Sequence, residues 1–284
     1  MATICIDAGH YGKYNRSPGV PEYFESDMTW KLSNLQKKYL EKMGHKVILT
    51  RDNQSKDLDL VARGKKSKGC DLFISNHSNA ASNKMNEKVD YVAVYHLVDD
   101  TTTKCDDISK DFAKKIAPVV ADVMGVSYRV LTRKAVSDRN KDGIPNDNYY
   151  GVLHGSRLVG TPGLIIEHGF HTNTKEAKWL LDDNNLDTMA KAEAECINSY
   201  FGGSSSKPDP KPEVKPINSE SKVRVSINNL NIRKGPGTNF DKVKFIEPGV
   251  YTLVEIQNGP GSNTGWGKLK SGIGWISLDY VIKM

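Results

Sequence analysis

TICIDAGH (residues 3–10) is a short apolar run rich in β-branched residues that stops at Asp7, turns through Ala8 and Gly9 and delivers a histidine. Such a run bounded by a turn signal reads as a fully buried strand. Two more segments repeat the design: DLFISN (71–76) ends in His77, and GLIIE (163–167) ends in Glu167. Outward from these, apolar runs occupy 2–7, 45–50, 71–76, 91–97 and 163–167, and helical periodicity occupies 26–43, 58–68, 108–123, 173–181 and 186–201. In the first helical stretch Met28, Leu32, Leu35, Tyr39 and Leu40 share one face, while Lys37, Lys38 and Glu41 lie elsewhere. Strands alternating with helices predict an α/β fold: a largely parallel sheet with helices on both faces.

In such a sheet the carboxyl ends of the strands form the edge where sites assemble. His10, His77 and Glu167 then meet along one edge, and Glu25, at the start of the first long helix, faces the same cleft. Two histidines and a carboxylate suit Zn²⁺, which takes three protein ligands in a catalytic site and keeps the fourth position for water. Zinc lowers the pKa of that water towards neutrality, and a further carboxylate must take its proton and return it to a leaving group. The reading is therefore His10, Glu25 and His77 as ligands, with Glu167, at the end of an apolar strand, as acid/base. A single histidine after a strand is also a common hydrogen-bonded loop residue. Glu22 competes with Glu25 from three residues earlier, and His168 and His171 follow closely on Glu167.

The segment GSSSKPDPKPEVKPINSES (203–221) is rich in Ser, Pro and Lys and nearly devoid of apolar residues, so it reads as a linker. It divides the chain into residues 1–202 and 222–284. The latter lacks a helical period. LNIRKGPG, VYTLVEI and GWGKLKSGIGWISLDYV are short strands broken by Gly-rich turns, which spells a small all-β barrel or sandwich. From Gly203 onward there are 12 Lys+Arg against 7 Asp+Glu; the first 202 residues hold 28 against 27. The net charge of +6 is thus concentrated on the smaller part, which favours an anionic partner such as a wall polymer, or serves solubility. No aromatic-interleaved basic stripe accompanies it, so a nucleic-acid role is excluded. No apolar run approaches the roughly 18 residues of a membrane helix, which excludes membrane insertion. The start, MATICIDAGH, shows no basic region, apolar region or cleavage site of a secretion leader, so a cytoplasmic origin is expected. Cys5, Cys70, Cys105 and Cys196 are widely spaced and read as reduced thiols.

DAGH (7–10), Glu25 opening the first helix, LTR (49–51), DLFISNHSNA (71–80) and LIIEHGFHTN (164–173) occur in the order found in the type 3 N-acetylmuramoyl-L-alanine amidases, which this chain resembles. The resemblance implies zinc on His10, Glu25 and His77, Glu167 as the catalytic carboxylate, and cleavage of the amide between N-acetylmuramic acid and L-alanine. It selects Glu25 over Glu22. Asn79 and Arg51, within the same elements, are candidates for holding substrate. LNIRKGPG (230–237) and GWISLDYV (274–281) resemble bacterial Src-homology-3 domains, which implies wall binding. Trp266 and Trp275 read as packing residues there. The implied partner is peptidoglycan of the Gram-positive type, contacted by both domains. Together with the missing leader, the resemblance points to a phage-type endolysin released through a holin-like pore. A host autolysin of the same activity is the alternative.

The chain departs from the amidase pattern in two places. YGKYNRSPG (11–19) replaces a Gly-rich turn beside the cleft, so substrate preference does not carry over. DRNKDGIPND (138–147) matches the start of a calcium loop, but its twelfth position is Tyr149 instead of Glu, which leaves a solvated loop as the competing reading. Two other functions fit parts of the pattern. A zinc carboxypeptidase needs a cation for the terminal carboxylate, with Arg51 and Arg63 as candidates. A wall-binding protein with a decayed catalytic domain is opposed by four filled catalytic positions.

Overall fold

The computed structural model describes residues 1–98, 104–138, 147–202, 221–228, 230–238, 240–259, 261–262 and 264–284. The chain divides into two units, Met1–Ser206 and Lys207–Met284. The suggested linker, apart from Ser221, and residues 139–146 of the suggested calcium loop lie outside the described residues.

In the first unit, strands β1 (Thr3–Ala8), β2 (Lys46–Leu49), β3 (Leu72–Asn79), β4 (Tyr91–His96), β5 (Ser127–Leu131) and β6 (Gly163–Phe170) form one sheet in the order β2-β1-β3-β6-β4-β5. β2, β1, β3 and β6 run parallel. β4 pairs antiparallel to β6, and β5 runs parallel to β4. The sheet is thus largely parallel, with β4 and the edge strand β5 beside it reversed. Helices α1 (Glu25–Lys42), α2 (Leu60–Lys65), α3 (Lys104–Met124), α4 (Gly151–Leu158), α5 (Thr174–Leu181) and α6 (Asp183–Tyr200) cover it.

The inner strands are buried on both faces, which explains their continuous apolar sequence. Ile4, Ile6, Leu72, Ile74, Leu164 and Ile166 pack into the larger cluster with residues of α1, α3, α5 and α6. Cys5, Phe73 and Ile165 face the other way, against Val152 and Leu153 of α4. Helices on both faces follow from this division. α1 carries Glu25 and Asp27 in its first turn and Lys42 in its last, matching the helix dipole, and the chain leaves it through Gly44 at φ 88°. Asn173 and Asp182 cap α5 and α6 by accepting from backbone N–H groups of the first turn.

β5 and α4 fall outside the sequence pattern. β5 is an edge strand with an exposed first half, so it shows no apolar run. α4 carries two glycines, which hide its helical character. Those glycines have a packing reason: a Cβ on Gly155 would stand 2.2 Å from the Val61 carbonyl oxygen and one on Gly151 2.8 Å from Leu60 Cβ, while on α2 a Cβ on Gly64 would stand 2.1 Å from the Val152 carbonyl oxygen. α2 and α4 therefore cross with their backbones nearly touching.

The second unit is an antiparallel seven-stranded sheet in the order β13-β7-β10-β11-β12-β8-β9. Its strands are β7 (Ser221–Val225), β8 (Leu230–Arg233), β9 (Lys242–Ile246), β10 (Gly249–Gln257), β11 (Trp266–Leu269), β12 (Trp275–Ser277) and β13 (Val281–Lys283). Ser221, assigned to the linker from sequence, opens β7. Val223, Val225, Leu230, Ile232, Leu253 and Ile276 are among its core residues. Trp266 and Trp275 are buried, as packing residues are. None of the four cysteines is in a disulfide; Cys5 and Cys70 are buried, Cys105 and Cys196 half-buried. Among the described residues no helix is long and apolar enough to cross a membrane.

Candidate metal centre and catalytic carboxylate

The site forms where β1 and β3 end side by side. Gly9 N–H donates to the Asn76 carbonyl (3.0 Å), and a Cβ on Gly9 would stand 2.4 Å from His77 Cε1 and 2.5 Å from the Asn76 oxygen. Only glycine lets the two strand ends approach this closely. The next residue, His10, has φ 60°, a left-handed conformation that a histidine adopts only when held there. Two side chains hold it. Thr29 Oγ1 donates to the Gly9 carbonyl (2.8 Å), and Arg63 Nη1 donates to the carbonyls of Ala8 and His10, each at 3.2 Å.

His77 leaves β3 on the face that His10 overhangs, and the two rings meet edge to face at 5.0 Å. Glu25, the first residue of α1 and 1% exposed, closes the triangle. Its Oε1 lies 2.8 Å from His77 Nδ1 and accepts from Ser78 N–H at 3.0 Å; its Oε2 lies 3.2 Å from His10 Nε2. One ligand atom from each of the three lies within 4.8 Å of the others. Burial opposes the charge of Glu25, but the hydrogen bonds from His10 and His77, and their charge, hold its carboxyl well below the usual carboxylate range. Glu22 is exposed and stays outside this cluster, so the geometry selects Glu25.

Glu167 pairs in register with His77 on the adjacent parallel strand. Its Oε2 is buried and has no hydrogen-bond partner among the described residues. Burial and the neighbouring Glu25 charge push its carboxyl up to about 8. A buried carboxyl oxygen without a partner, titrating near neutrality, can both accept and return a proton.

The two residues suggested for substrate contact fare differently. Asn79 sits half-buried two residues beyond His77, on the same face of β3, its Oδ1 accepting from Ala80 N–H (2.8 Å). Arg51 is 6% exposed; its guanidinium donates to the carbonyls of Gln54, Lys56 and Ala8 and stacks over Trp30. It fastens a loop to the end of β1.

Sequence reasoning missed three groups around the site. Asn15, at φ 51°, donates from Nδ2 to Glu25 Oε2 (2.7 Å) and lies 3.1 Å from His10 Nε2. Tyr23 donates to Ser78 Oγ (2.6 Å), which lies 3.0 Å from His171 Nδ1, so a buried polar chain runs beneath Glu25. His168 is fully buried, with Nε2 2.9 Å from Glu193 Oε1 and Nδ1 3.0 Å from the His77 carbonyl. Burial works against its charge, but Glu193 outweighs burial and raises its pKa. Glu193 also accepts from Gln36, which exchanges hydrogen bonds with Asn76. The site is thus backed by a connected polar network. His168 and His171 were visible beside Glu167, but their partners on α6 and β3 are remote in sequence.

The sequence profile of the N-acetylmuramoyl-L-alanine amidase family matches residues 4–199. The chain belongs to the N-acetylmuramoyl-L-alanine amidases. The match covers the amidase unit, including the three clustered residues and Glu167. Solved structures share its fold. The catalytic domain of the amidase CwlV from Bacillus (Paenibacillus) polymyxa var. colistinus is 20% identical, with TM-score 0.56, covering 72% of this chain and all of that one. An N-acetylmuramoyl-L-alanine amidase from Clostridium difficile 630 is 21% identical, with TM-score 0.57, covering 72% and 98%. Cwp6 from Clostridium difficile is 24% identical, with TM-score 0.57, covering 70% of this chain and 29% of that one. A probable deoxyhypusine synthase of Drosophila melanogaster is 28% identical over 91 residues, 32% of this chain and 24% of that protein. The chain thus spans about a quarter of the length of that curated relative. Amidase membership makes the enzyme a hydrolase of an amide bond in peptidoglycan.

Proposed function

We propose that the amidase unit is zinc-dependent and cleaves the bond between N-acetylmuramic acid and the L-alanine of the stem peptide. The observation that carries this is the convergence of His10 Nε2, Glu25 and His77 Nδ1 beside Glu167, whose Oε2 has no partner among the described residues. The donor set fits the metal: two neutral-capable imidazoles and an ionised carboxylate, gathered on one edge, are ligands zinc accepts. Bound there, zinc supplies Lewis acidity, activating a water near neutral pH and polarising an amide carbonyl.

The chain's own residues do the rest. Glu25, His10 and His77 are fixed before substrate arrives, through Ser78 N–H, Thr29 and Arg63. Glu167 takes the proton of the attacking water on its free oxygen and returns it to the leaving nitrogen of L-alanine. A carboxypeptidase reading finds no clamp in Arg51 or Arg63, since both guanidiniums are committed to backbone carbonyls.

We also propose that residues 222–284 form a small barrel of bacterial Src-homology-3 type that holds the Gram-positive wall, favoured towards anionic polymer by its basic surplus. An amidase joined to a wall binder suits a phage endolysin released by a holin-type pore. External lysis of Gram-positive cells, lost on deleting residues 222–284, supports the wall-holding assignment; binding that follows the amidase unit alone refutes it. Mass analysis of digested peptidoglycan tests the chemistry. Released peptides with N-terminal L-alanine, abolished by chelation and restored by zinc, are expected. Cuts within the stem peptide, or turnover indifferent to chelator, overturn it.

A further inference from the structure

We infer that Tyr14 and Tyr11 form a stacking platform for the sugar ring on the glycan side of the scissile amide. This rests on the amidase reading and adds the subsite that reads its substrate. The Tyr14 ring lies flat on His10, with centroids 4.9 Å apart and planes 15° apart. Tyr11 continues the stack at 6.1 Å and 21°. Three rings therefore form a ladder leading outward from the ligand cluster. Its outer two members are exposed, Tyr14 by 49% and Tyr11 by 38%. In such a ladder both faces of Tyr14 are taken, by His10 and by Tyr11, so the face offered to a ligand is the outer face of Tyr11, with Tyr14 as its support.

The ladder is held rigidly from behind. Tyr14 N–H donates to Ser26 Oγ (2.9 Å), and that hydroxyl donates to the Gly12 carbonyl (2.8 Å). Glu25 N–H donates to the Asn15 carbonyl (3.0 Å), and Gly12 N–H donates to the Gln54 carbonyl (2.9 Å). Arg16 and Phe24 form an antiparallel bridge across the base of the loop. The left-handed turn at Asn15, whose amide bonds Glu25, places Tyr14 over His10. A platform fixed in advance loses little entropy on binding.

Its chemistry suits a sugar better than the charged stem peptide. The loop's two cations are already engaged: Lys13 pairs with Asp27 and lies over Phe24, and Arg16 donates from Nε to the Pro21 carbonyl and also lies over Phe24. What remains is neutral aromatic surface. β-Linked N-acetylglucosamine and N-acetylmuramic acid carry equatorial substituents, so their ring faces present only axial C–H groups. Those faces match tyrosine rings. Since the amide is attached through the lactyl group of N-acetylmuramic acid, a ring next to the ligand cluster lies within reach of the platform.

The test is titration calorimetry on the full-length chain with two peptide-free or sugar-free probes. These are the disaccharide of N-acetylglucosamine and N-acetylmuramic acid, and the free stem peptide. Each is measured with zinc added and after chelation. Tyr11→Ala should weaken the disaccharide about tenfold and Tyr14→Ala, which removes the support beneath that ring, about threefold, with or without zinc. Tyr11→Phe, which keeps the ring, should stay within about twofold and so controls for folding. Zinc stoichiometry and stem-peptide affinity should not move. With disaccharide-peptide as substrate, KM should rise with the Kd loss while kcat changes little. Unchanged disaccharide affinity in Tyr11→Ala, or a loss confined to the stem peptide, overturns the proposal. If the disaccharide behaves as expected but no muropeptide is cleaved, the subsite stands and the amidase reading falls.

Discussion

The start of α1 and the end of β6 each present a buried glutamate to the same cleft, and they have opposite electrostatic characters. Glu25 is met by two imidazoles, a backbone N–H and the Asn15 amide, and its carboxyl is held far below the ordinary range. Glu167 has one oxygen with no partner among the described residues and faces the Glu25 charge, and burial with that charge raises its carboxyl to about 8. Two identical side chains thus receive two roles from their surroundings: one is a permanent anion that can hold a cation, the other a group that moves a proton. Burial alone does not distinguish them. The count of donors around each carboxylate does.

The largest expected effect comes from emptying the anion's side of that contrast. His77→Ala removes a ligand and leaves Glu25 buried without a principal donor; metal content by elemental analysis should fall to background, and turnover with it. Stoichiometric zinc in that variant would move the metal elsewhere. Next is the proton carrier: Glu167→Ala should keep zinc and lose about 10²–10⁴-fold in kcat. Turnover near that of the unsubstituted enzyme would end the role of Glu167.

A third expectation uses pH. Glu176, buried on α5 and accepting from Phe170 N–H, is pushed by burial up to about 7. Its folded-state pKa thus lies above the unfolded value near 4.5, so the folded state binds more protons between those values. Stability should therefore fall as pH rises from about 4.5 to 7, by up to about 3 kcal/mol. Glu167 adds to the same slope, up to its value of about 8, in chelated protein. Denaturant unfolding of the chelated enzyme should show this decline, and Glu176→Gln, which keeps an acceptor oxygen, should flatten it. An unchanged slope would show that Glu176 is ionised in the fold. The smallest effect belongs to Glu22→Ala. This exposed carboxylate, the sequence rival of Glu25, should leave zinc content and kcat unchanged and shift stability by less than about 0.5 kcal/mol. A loss of zinc there would break the contrast from the other side.

Much of this arrangement was legible in the sequence, because buried parallel strands announce themselves as apolar runs and their ends are marked by a change in chemistry. TICID, DLFISN and GLIIE locate the edge where His10, His77 and Glu167 meet. Strand direction is not written in periodicity, so the reversal of β4 and β5 was invisible. β5 escaped notice because Ser127, Tyr128 and Arg129 are exposed. α4 escaped because its glycines serve contact with α2. The bonds of Arg51 to Gln54, Lys56 and Ala8 were not legible, because a strand-end arginine looks the same in sequence whether it faces a substrate or the carbonyls of its own loop. Asn15 and the Tyr11–Tyr14 ladder lie in a loop whose path depends on the left-handed turn at Asn15, which neither apolar period nor composition specifies.

The central claim is the division of labour between the two carboxylates, and one paired measurement addresses it most directly: zinc content and turnover of Glu25→Gln and Glu167→Gln, prepared and loaded side by side. The account predicts that Glu25→Gln loses both zinc and activity, while Glu167→Gln holds zinc at full stoichiometry and loses activity alone. Equal zinc in the two variants with equal loss of turnover, or zinc lost only from Glu167→Gln, would contradict it.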